Sequence, residues 1–293
     1  MNIAVIGSSG YIGQNLIKLL LSQTNHTIFA LSPNAEQIIF KHERLYTHNV
    51  DVFDTVKLSK YLKNCDAAYY LIHMMSQKKL DFAVAETKAA ESFCAAAINS
   101  NIKRVIYLGG LGNDNEKLSK HLASRHKTGE ILKQGFPQLI EFRASMVIGH
   151  GSISYDIITN LIHKLPILTL PKWAKTLTQP IGLNDALAYL IAALELGLKE
   201  SLIIEIGGPE QLSYGDLMKR YAAWKNKKMI IIKLHIIPVS VAAWWLNLFT
   251  PATHAKVGQI MVESLSSPMV VTNDKARQLF PDIHPKNLEL VFV

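Results

Sequence analysis

A glycine-rich loop near the start of the chain constrains the fold more than any other feature. The short apolar run Asn2–Ile6 is typical of a strand that is buried on both faces of a parallel sheet, and it leads directly into Gly7. Apolar residues at helical spacing follow from Tyr11 to Leu21. This order of strand, glycine-rich turn and helix predicts an α/β fold with a doubly wound parallel sheet, the Rossmann fold.

The three glycines of this loop have separate roles in a phosphate-binding turn. Gly7 permits the tight turn out of the strand, Gly10 lets the backbone approach a pyrophosphate, and Gly13 lets the helix pack on the sheet. The helix N-terminus adds free N–H groups and a partial positive charge. We therefore predict a dinucleotide site formed by Gly7, Ser8, Ser9, Gly10, Tyr11, Ile12 and Gly13.

Strand-like and helix-like segments alternate over the first half of the chain. The predicted strands are Asn2–Ile6, His26–Leu31, Arg44–Asp51, Ala67–His73, Arg104–Leu108 and Gln138–Ile148, and longer helices are predicted over Leu80–Asn99 and His121–Gln134. This alternation indicates βαβ crossovers. We place an NAD(P)-binding domain at residues 1–150 and a smaller substrate-side lobe at 151–293, and we expect Ser201–Ile206 to rejoin the sheet.

Composition narrows the function classes. The net charge of +8 is spread along a chain of 293 residues, and its densest group, residues 219–228, is interpreted as a solvated helix end, so no nucleic-acid partner is expected. Cys65 and Cys94 form neither a disulfide framework nor a metal site. The most apolar run, Ile236–Phe249, is shorter than the ~20 residues of a spanning helix. We expect a cytoplasmic protein without an integral membrane segment or a leader sequence.

The type of dinucleotide depends on the residues that follow the second strand. An acidic residue there would bind the ribose 2′-hydroxyl of NAD, whereas this chain has Ser32, Pro33 and Asn34. Without a carboxylate to repel a 2′-phosphate, Ser32 and Asn34 favour NADP, with NAD as the alternative. Asp51 and Val52, after the third strand, are placed to flank the adenine, although a solvated loop aspartate fits equally well.

The glycine spacing and the strand–helix alternation resemble the short-chain dehydrogenase/reductase superfamily, especially its atypical and extended branches with NmrA-like and epimerase-like proteins. Tyr107–Gly112 is similar to the fifth-strand signature, Ser124–Glu130 to the helix that carries the active-site lysine, and Phe142–Gly149 to the strand that faces the nicotinamide. Weaker similarity extends over Gln179–Ile181 and Ile206–Pro209. The resemblance implies a Rossmann fold, an NAD(P) cofactor contacted by Gly109 and Gly110, and a small-molecule substrate.

The chain departs from this resemblance where active members have a Tyr-x-x-x-Lys pair. The helix contains no tyrosine: if His126 takes the lysine position, Leu122 takes the tyrosine position, and a shift by one residue gives His121 and Arg125. The usual proton relay therefore lacks its side chains. Hydride transfer is carried out by the cofactor and needs no protein side chain, so the missing pair does not exclude a reduction.

Histidines at strand and helix ends are the candidate replacements. His73 and His126 are predicted to contact the cofactor or to act as proton donors, because imidazole titrates near neutral pH. A strand cap for His73 and a surface position for His126 are the alternatives. Substrate contacts are predicted for Arg143, His150 and Tyr155, with pairing of Arg143 to Glu141 or Asp185, solvation of His150 and core packing of Tyr155 as alternatives.

Three hypotheses follow. The first is an NAD(P)H-dependent oxidoreductase that acts on a small apolar carbonyl or quinone. The second is an NADP-binding sensor or scaffold without turnover, for which NmrA-like proteins set the precedent. The third, a nucleic-acid-binding module, has only the net charge in its favour. The apolar segment around Trp244 and Trp245 is interpreted as core, as the wall of an apolar cleft, or as a contact in a homodimer.

Overall fold

The computed structural model describes residues 1–75, 81–114, 118–164, 167–170, 172–227, 230–233, 265 and 267–292. The strands are β1 (Asn2–Ile6), β2 (Thr27–Ser32), β3 (Leu45–Asn49), β4 (Ala67–Tyr70), β5 (Arg104–Gly110), β6 (Gln138–Ala144), β7 (Val147–Ile148), β8 (Ile167–Leu170), β9 (Leu177–Thr178), β10 (Ile181–Gly182), β11 (Leu202–Ile206), β12 (Leu212–Ser213) and β13 (Ile230–Lys233). The helices are α1 (Tyr11–Gln23), α2 (Thr55–Leu62), α3 (Phe82–Ala97), α4 (Lys120–Gly135), α5 (Ile153–Lys164), α6 (Leu183–Ala192), α7 (Tyr214–Trp224), α8 (Lys275–Leu279) and α9 (Leu288–Val291).

Seven parallel strands form the central sheet, in the order β3-β2-β1-β4-β5-β6-β11. The order reverses between β1 and β4, which is the arrangement of a doubly wound Rossmann sheet. The predicted fold class is therefore confirmed. The strand β11 lies beyond residue 150, and it pairs with β6, so residues from both halves of the chain build the sheet.

Apolar side chains cover both faces of β1, which explains why this strand has no polar alternation. Ile3 and Val5 pack with α1 and α6, whereas Ala4 and Ile6 pack with α2, α3 and α4. Successive residues of a strand point to opposite faces, so an unbroken apolar run serves two cores. The sheet is thereby held between two helical layers, and the carboxyl ends of its parallel strands lie along the same edge.

Three strands end earlier than the sequence predicts. The strand β3 stops at Asn49 rather than Asp51, β4 at Tyr70 rather than His73, and β6 at Ala144 rather than Ile148. The last pair of β4 with β1 is Tyr70 with Ile6, where β1 ends, although β5 continues to Gly110 beside β6. The last residue of β6, Ala144, pairs with the last residues of both β5 and β11. Val147–Ile148 pairs instead with β10 in a separate ribbon.

The part of the chain after residue 150 adds a further apolar cluster to the two that cover the faces of the sheet. Ile158 and Ile162 of α5 pack there against Leu217 and Tyr221 of α7, together with Phe292. Residues 234–264, which include Trp244, Trp245 and the whole apolar run Ile236–Phe249, lie outside the described residues. Within the described ranges, no helix has the length and apolar character needed to cross a membrane.

Candidate functional site

The loop between β1 and α1 requires glycine at two positions for reasons internal to the protein. Gly7 has φ +85°, and a Cβ atom on it would lie 2.9 Å from the Leu71 carbonyl carbon. A Cβ atom on Gly13 would lie 2.6 Å from the Gly7 carbonyl oxygen. At Gly10 the nearest atom to such a Cβ, the Gly7 carbonyl oxygen, is 3.2 Å away. The protein itself thus leaves more room at Gly10, on the turn that precedes the helix.

Among the described residues, some polar groups at this turn have no hydrogen-bond partner, and a bound phosphate would provide one. Gly10 is the N-cap of α1, no side chain caps the helix, and no acidic residue lies in its first turn. The Ser8 hydroxyl is fully buried and has no hydrogen-bond partner among the described residues. Free N–H groups at a helix N-terminus favour an anion. The residues therefore fit a dinucleotide pyrophosphate.

The residues predicted on the ribose side lie around the ends of β2 and β3. The Ser9 and Ser32 hydroxyl oxygens are 2.5 Å apart, so each hydroxyl already has one partner. Asn34 is exposed just beyond them. Asp51 accepts a hydrogen bond from the Phe53 N–H at 3.1 Å, and Val52 is buried in the core. The structure thus gives Asp51 a turn-stabilising contact, and the side chains of both Asn34 and Asp51 are exposed.

A cavity of about 270 Å³ opens at the carboxyl ends of the strands, next to Tyr11 and Ile12 of the glycine-rich loop. In an open α/β sheet, this edge at the switch in strand order is where ligands bind. Most of the side chains around it are apolar. The lining residues are Tyr11, Ile12, His73, Met75, Leu108, Gly109, Gly110, His121, Leu122, Arg125, Ala144, Ser145, Met146, Val147, Ile153, Ser154, Tyr214, Leu265 and Met269.

A buried ion pair lies beside the cavity. Glu86 of α3 and Arg125 of α4 approach to 3.4 Å, and Glu86 accepts a hydrogen bond from the Ser124 hydroxyl at 2.6 Å. Arg125 also donates to the carbonyl oxygens of Ile72 at 2.8 Å and Leu108 at 2.5 Å. The guanidinium group thereby links the ends of β4 and β5 to helix α4.

Two histidines meet at the cavity wall. The Nε2 atoms of His73 and His121 are 2.9 Å apart, and the Glu86 carboxylate lies 3.6 Å from His73 Nε2. Burial, the Arg125 cation and His121 hold the pKa of His73 well below its usual value, although 36% of its side chain is exposed. Burial and Arg125 lower the pKa of His121 to about 4. Both rings are therefore uncharged near neutral pH.

His126, predicted as a catalytic or cofactor-binding residue, is not among the described residues that line the cavity. Its Nε2 faces the Gly110 carbonyl oxygen at 2.9 Å, and its Nδ1 lies 2.6 Å from Asp114 Oδ1, an ion pair rather than a well-aligned hydrogen bond. Of the two alignments of this helix with a Tyr-x-x-x-Lys pair, the one that brings both positions to the cavity uses His121 and Arg125. His126 instead contacts the backbone carbonyl oxygen of Gly110, which itself lines the cavity.

The charge of Arg143 is compensated inside the protein. Its guanidinium group binds Glu141 at 2.8 Å, which is one of the predicted pairings, and Asp114 at 2.8 Å. Asp185, the alternative carboxylate, instead accepts a hydrogen bond from the Lys286 N–H at 2.9 Å. Asp114 lies on the loop after β5 and was missed because a lone loop carboxylate carries no sequence signal. The Arg143 hydrogen bonds and the His126 contact lower the pKa of Asp114 despite its partial desolvation.

His150 and Tyr155, predicted as substrate contacts, are absent from the described cavity lining. His150 is exposed, and its carbonyl oxygen accepts a hydrogen bond from Tyr11 at 3.1 Å. The Tyr155 ring packs edge-on against Tyr221, which matches its alternative as a core residue. Ser145 and Tyr214 are cavity residues that the sequence did not indicate, since they follow β6 and begin α7 with no distinguishing motif.

The fold and the glycine-rich turn define a dinucleotide-binding α/β protein. The family described as NAD(P)H-binding matches residues 7–141, which span the turn and the strands up to β6. The chain therefore contains an NAD(P)H-binding domain. No curated protein sequence matches the chain.

Solved structures of the epimerase and reductase superfamily share the fold over the whole chain. A nucleoside-diphosphate-sugar epimerase from Staphylococcus aureus superposes with a TM-score of 0.78 at 13% identity, covering 100% of this chain and 99% of that one. A triphenylmethane reductase from Citrobacter sp. gives 0.78 at 13% identity, covering 100% and 98%. UDP-glucuronic acid 4-epimerase from Bacillus cereus, in complex with NAD, gives 0.68 at 17% identity, covering 96% and 100%.

Proposed function

We propose that the protein is an NAD(P)H-dependent oxidoreductase that reduces a small apolar carbonyl or quinone-like substrate. The observation that carries this proposal is the cavity of about 270 Å³, which borders the phosphate-binding turn at Tyr11 and Ile12. A mostly apolar cavity with a few convergent polar groups suits a compact conjugated ligand. When bound, a reduced nicotinamide supplies two electrons and one hydrogen to such a substrate.

The residues of the chain contribute binding and shape. The N-terminus of α1 and Gly10 would hold the pyrophosphate of a bound dinucleotide, and Ser32 and Asn34 would lie on its ribose side. Gly109 and Gly110 form the cavity floor without side chains, and at Gly110 a Cβ atom would lie 2.8 Å from Leu122. Leu108, Met146 and Ile153 give the cavity apolar walls that exclude water. These groups place a flat substrate against the floor of the cavity.

NADP is the proposed cofactor, with NAD as the alternative. No acidic residue occupies the end of β2, where Ser32 is followed by Pro33 and Asn34. A carboxylate at this position would repel a 2′-phosphate, and hydroxyl and amide groups do not. Asn34 is exposed at this point.

A sensor that binds the cofactor without turnover is the second candidate. It is favoured by one observation: helix α4 lacks the tyrosine and lysine pair. In the two possible alignments, these positions hold either Leu122 and His126 or His121 and Arg125. NmrA-like proteins are the family-level analogy for this function. The buried pairing of Arg125 with Glu86 also gives that arginine a structural role.

Steady-state oxidation of NADPH with a panel of aromatic aldehydes, ketones and quinones separates the two candidates. The oxidoreductase predicts turnover with at least one planar substrate and competition by an inert planar analogue. Tight binding of NADPH, measured by fluorescence titration, without turnover across the panel would contradict the oxidoreductase and support the sensor. Failure to bind either reduced nucleotide would contradict both.

A further inference from the structure

We propose that His73 and His121 form a two-imidazole proton relay, which carries a proton from solvent to the substrate oxygen in the cavity. The inference rests on the proposed function, because reduction of a carbonyl by hydride leaves one proton to be supplied. Both residues line the cavity, and their Nε2 atoms are 2.9 Å apart. His73 follows β4, and His121 lies in the first turn of α4, so two separate elements bring the rings together.

The geometry determines where the hydrogens of an uncharged pair lie. A neutral imidazole carries hydrogen on one ring nitrogen and accepts on the other. If His73 donates from Nε2, His121 accepts at Nε2 and must carry its own hydrogen on Nδ1. The two rings are then opposite tautomers that share one hydrogen bond, and this arrangement passes a proton along without needing a stable imidazolium.

The surrounding charges favour an uncharged pair. Arg125 from α4 and Glu86 from α3 face the histidines, and these two opposite charges pair with each other at 3.4 Å. A third charge in the same region would lack a counterion, and isolated buried charges are costly. Burial and Arg125 accordingly lower the pKa of both rings. The remaining titratable groups among the described lining residues are Tyr11 and Tyr214, and burial raises the pKa of both.

Each transfer balances at both ends. The substrate oxygen takes the hydrogen from His121 Nδ1, and the shared hydrogen moves from His73 Nε2 to His121 Nε2. A solvent water then protonates His73 at Nδ1, and the hydroxide it leaves is neutralised by the buffer. His73 is suited to the solvent end because 36% of its side chain is exposed. One N–H bond breaks and one forms at each ring, so both rings end uncharged and the substrate gains one proton. Exchange with water restores the starting tautomers.

The tautomers provide a test that needs no cofactor. In the cofactor-free protein labelled with ¹⁵N-histidine, NMR near neutral pH should show one ring protonated at Nδ1 and its partner at Nε2. In His121→Gln, the His121 signals should be absent and those of the His73 ring should shift, because its Nε2 partner at 2.9 Å is removed. Two rings of the same tautomer, or a charged ring at neutral pH, would overturn the relay.

Kinetic measurements test the same pair in the working protein. His121→Ala and His73→Ala should each lower kcat by about 10²-fold, the typical contribution of a proton donor, with NADPH affinity unchanged. Added imidazole should restore part of the rate of His121→Ala, and His284→Ala, a change at an exposed histidine, should keep the full rate. Should the alanine variants be unfolded by circular dichroism, His121→Gln and His73→Gln replace them.

The outcomes separate the relay from the proposed function. Turnover by the wild-type protein that persists in both histidine variants overturns the relay and leaves the oxidoreductase standing. No turnover by the wild-type protein with any substrate of the panel overturns the oxidoreductase itself, and the NMR result still decides whether the paired tautomers exist.

Discussion

The Glu86 carboxylate lies 3.4 Å from the Arg125 guanidinium group, and both side chains are almost completely buried, with 2% and 7% of their surfaces exposed. The pair joins α3 to α4. Arg125 also donates hydrogen bonds to the carbonyl oxygens of Ile72, which follows β4, and of Leu108 in β5. A buried ion pair compensates its desolvation only while both partners and their hydrogen bonds remain. The stability of the cavity wall therefore depends on this pair.

Substitution of Glu86 by glutamine should strongly destabilise the protein. The amide keeps the shape of the side chain but removes the charge that compensates Arg125, and breaking a buried pair in this way costs about 3–5 kcal/mol. Urea unfolding measures the change. Glu91→Gln, at an exposed position of the same helix, is the matched control and should stay within about 0.5 kcal/mol of wild type. Equal stability of the two variants would contradict the role assigned to Glu86.

The pH dependence of stability should include a contribution from His121. Its pKa is lowered to about 4 in the folded state, whereas an unfolded histidine titrates near 6.5. The unfolded chain therefore binds more protons between these values, and the free energy of unfolding should fall as pH drops through this window, by roughly 2–3 kcal/mol for this group. Urea unfolding at pH 7 and 4.5 should show a weaker pH dependence in His121→Gln than in wild type. If the free energy of unfolding depended on pH equally in His121→Gln and in wild type, the ring would not be held neutral. The control variant His284→Gln should show the pH dependence of wild type.

Gly10→Asp should abolish tight binding of the dinucleotide while the protein stays folded. The new Cβ atom would lie 3.2 Å from the Gly7 carbonyl oxygen, so the turn must shift by a few tenths of an ångström, and circular dichroism checks that the variant stays folded. The carboxylate stands at the N-terminus of α1, where the pyrophosphate is expected. A rise in Kd for NADPH of at least about tenfold, or ~1.4 kcal/mol, is expected in a fluorescence titration. Gly197→Asp, at a glycine with no atom within 4 Å of its Cβ position, provides the control. Unchanged affinity in Gly10→Asp would exclude this turn as the phosphate site.

Asn34→Asp should shift the cofactor preference. The side chain is exposed beside Ser32, and a carboxylate there would repel the 2′-phosphate of NADPH without affecting the 2′-hydroxyl of NADH. We expect the Kd for NADPH to rise about tenfold and the Kd for NADH to stay constant or fall. Asn99→Asp, an exposed change after α3, controls for the added charge. Parallel changes for both nucleotides would show that residue 34 does not contact the ribose.

Local sequence was sufficient for the first strand, the glycine-rich turn and the parallel sheet. The run Asn2–Ile6 was predicted with its observed bounds, because an apolar strand that ends in a glycine of positive φ is defined by its own residues. The helices α3 and α4 were predicted to within two residues at each end, because their own residues also define where they begin and end. The NAD(P)H-binding assignment rested on these local signals and is confirmed over residues 7–141.

The tertiary structure alone decided which side chains meet at the cavity. Successive residues of α4 point about 100° apart, so the contact of this helix with the sheet decides whether His121 or His126 faces the cavity. That contact is set by Gly129, which leaves room for the Glu141 carboxylate between α4 and β6. Likewise, strand ends were misplaced at His73 and Ile148 because β4 ends at the last residue of its neighbour β1, and β6 ends at the last residues of β5 and β11. The sequence by itself thus determined the fold and the dinucleotide turn, whereas helix rotation and strand register, which depend on distant partners, determined the cavity and its paired histidines.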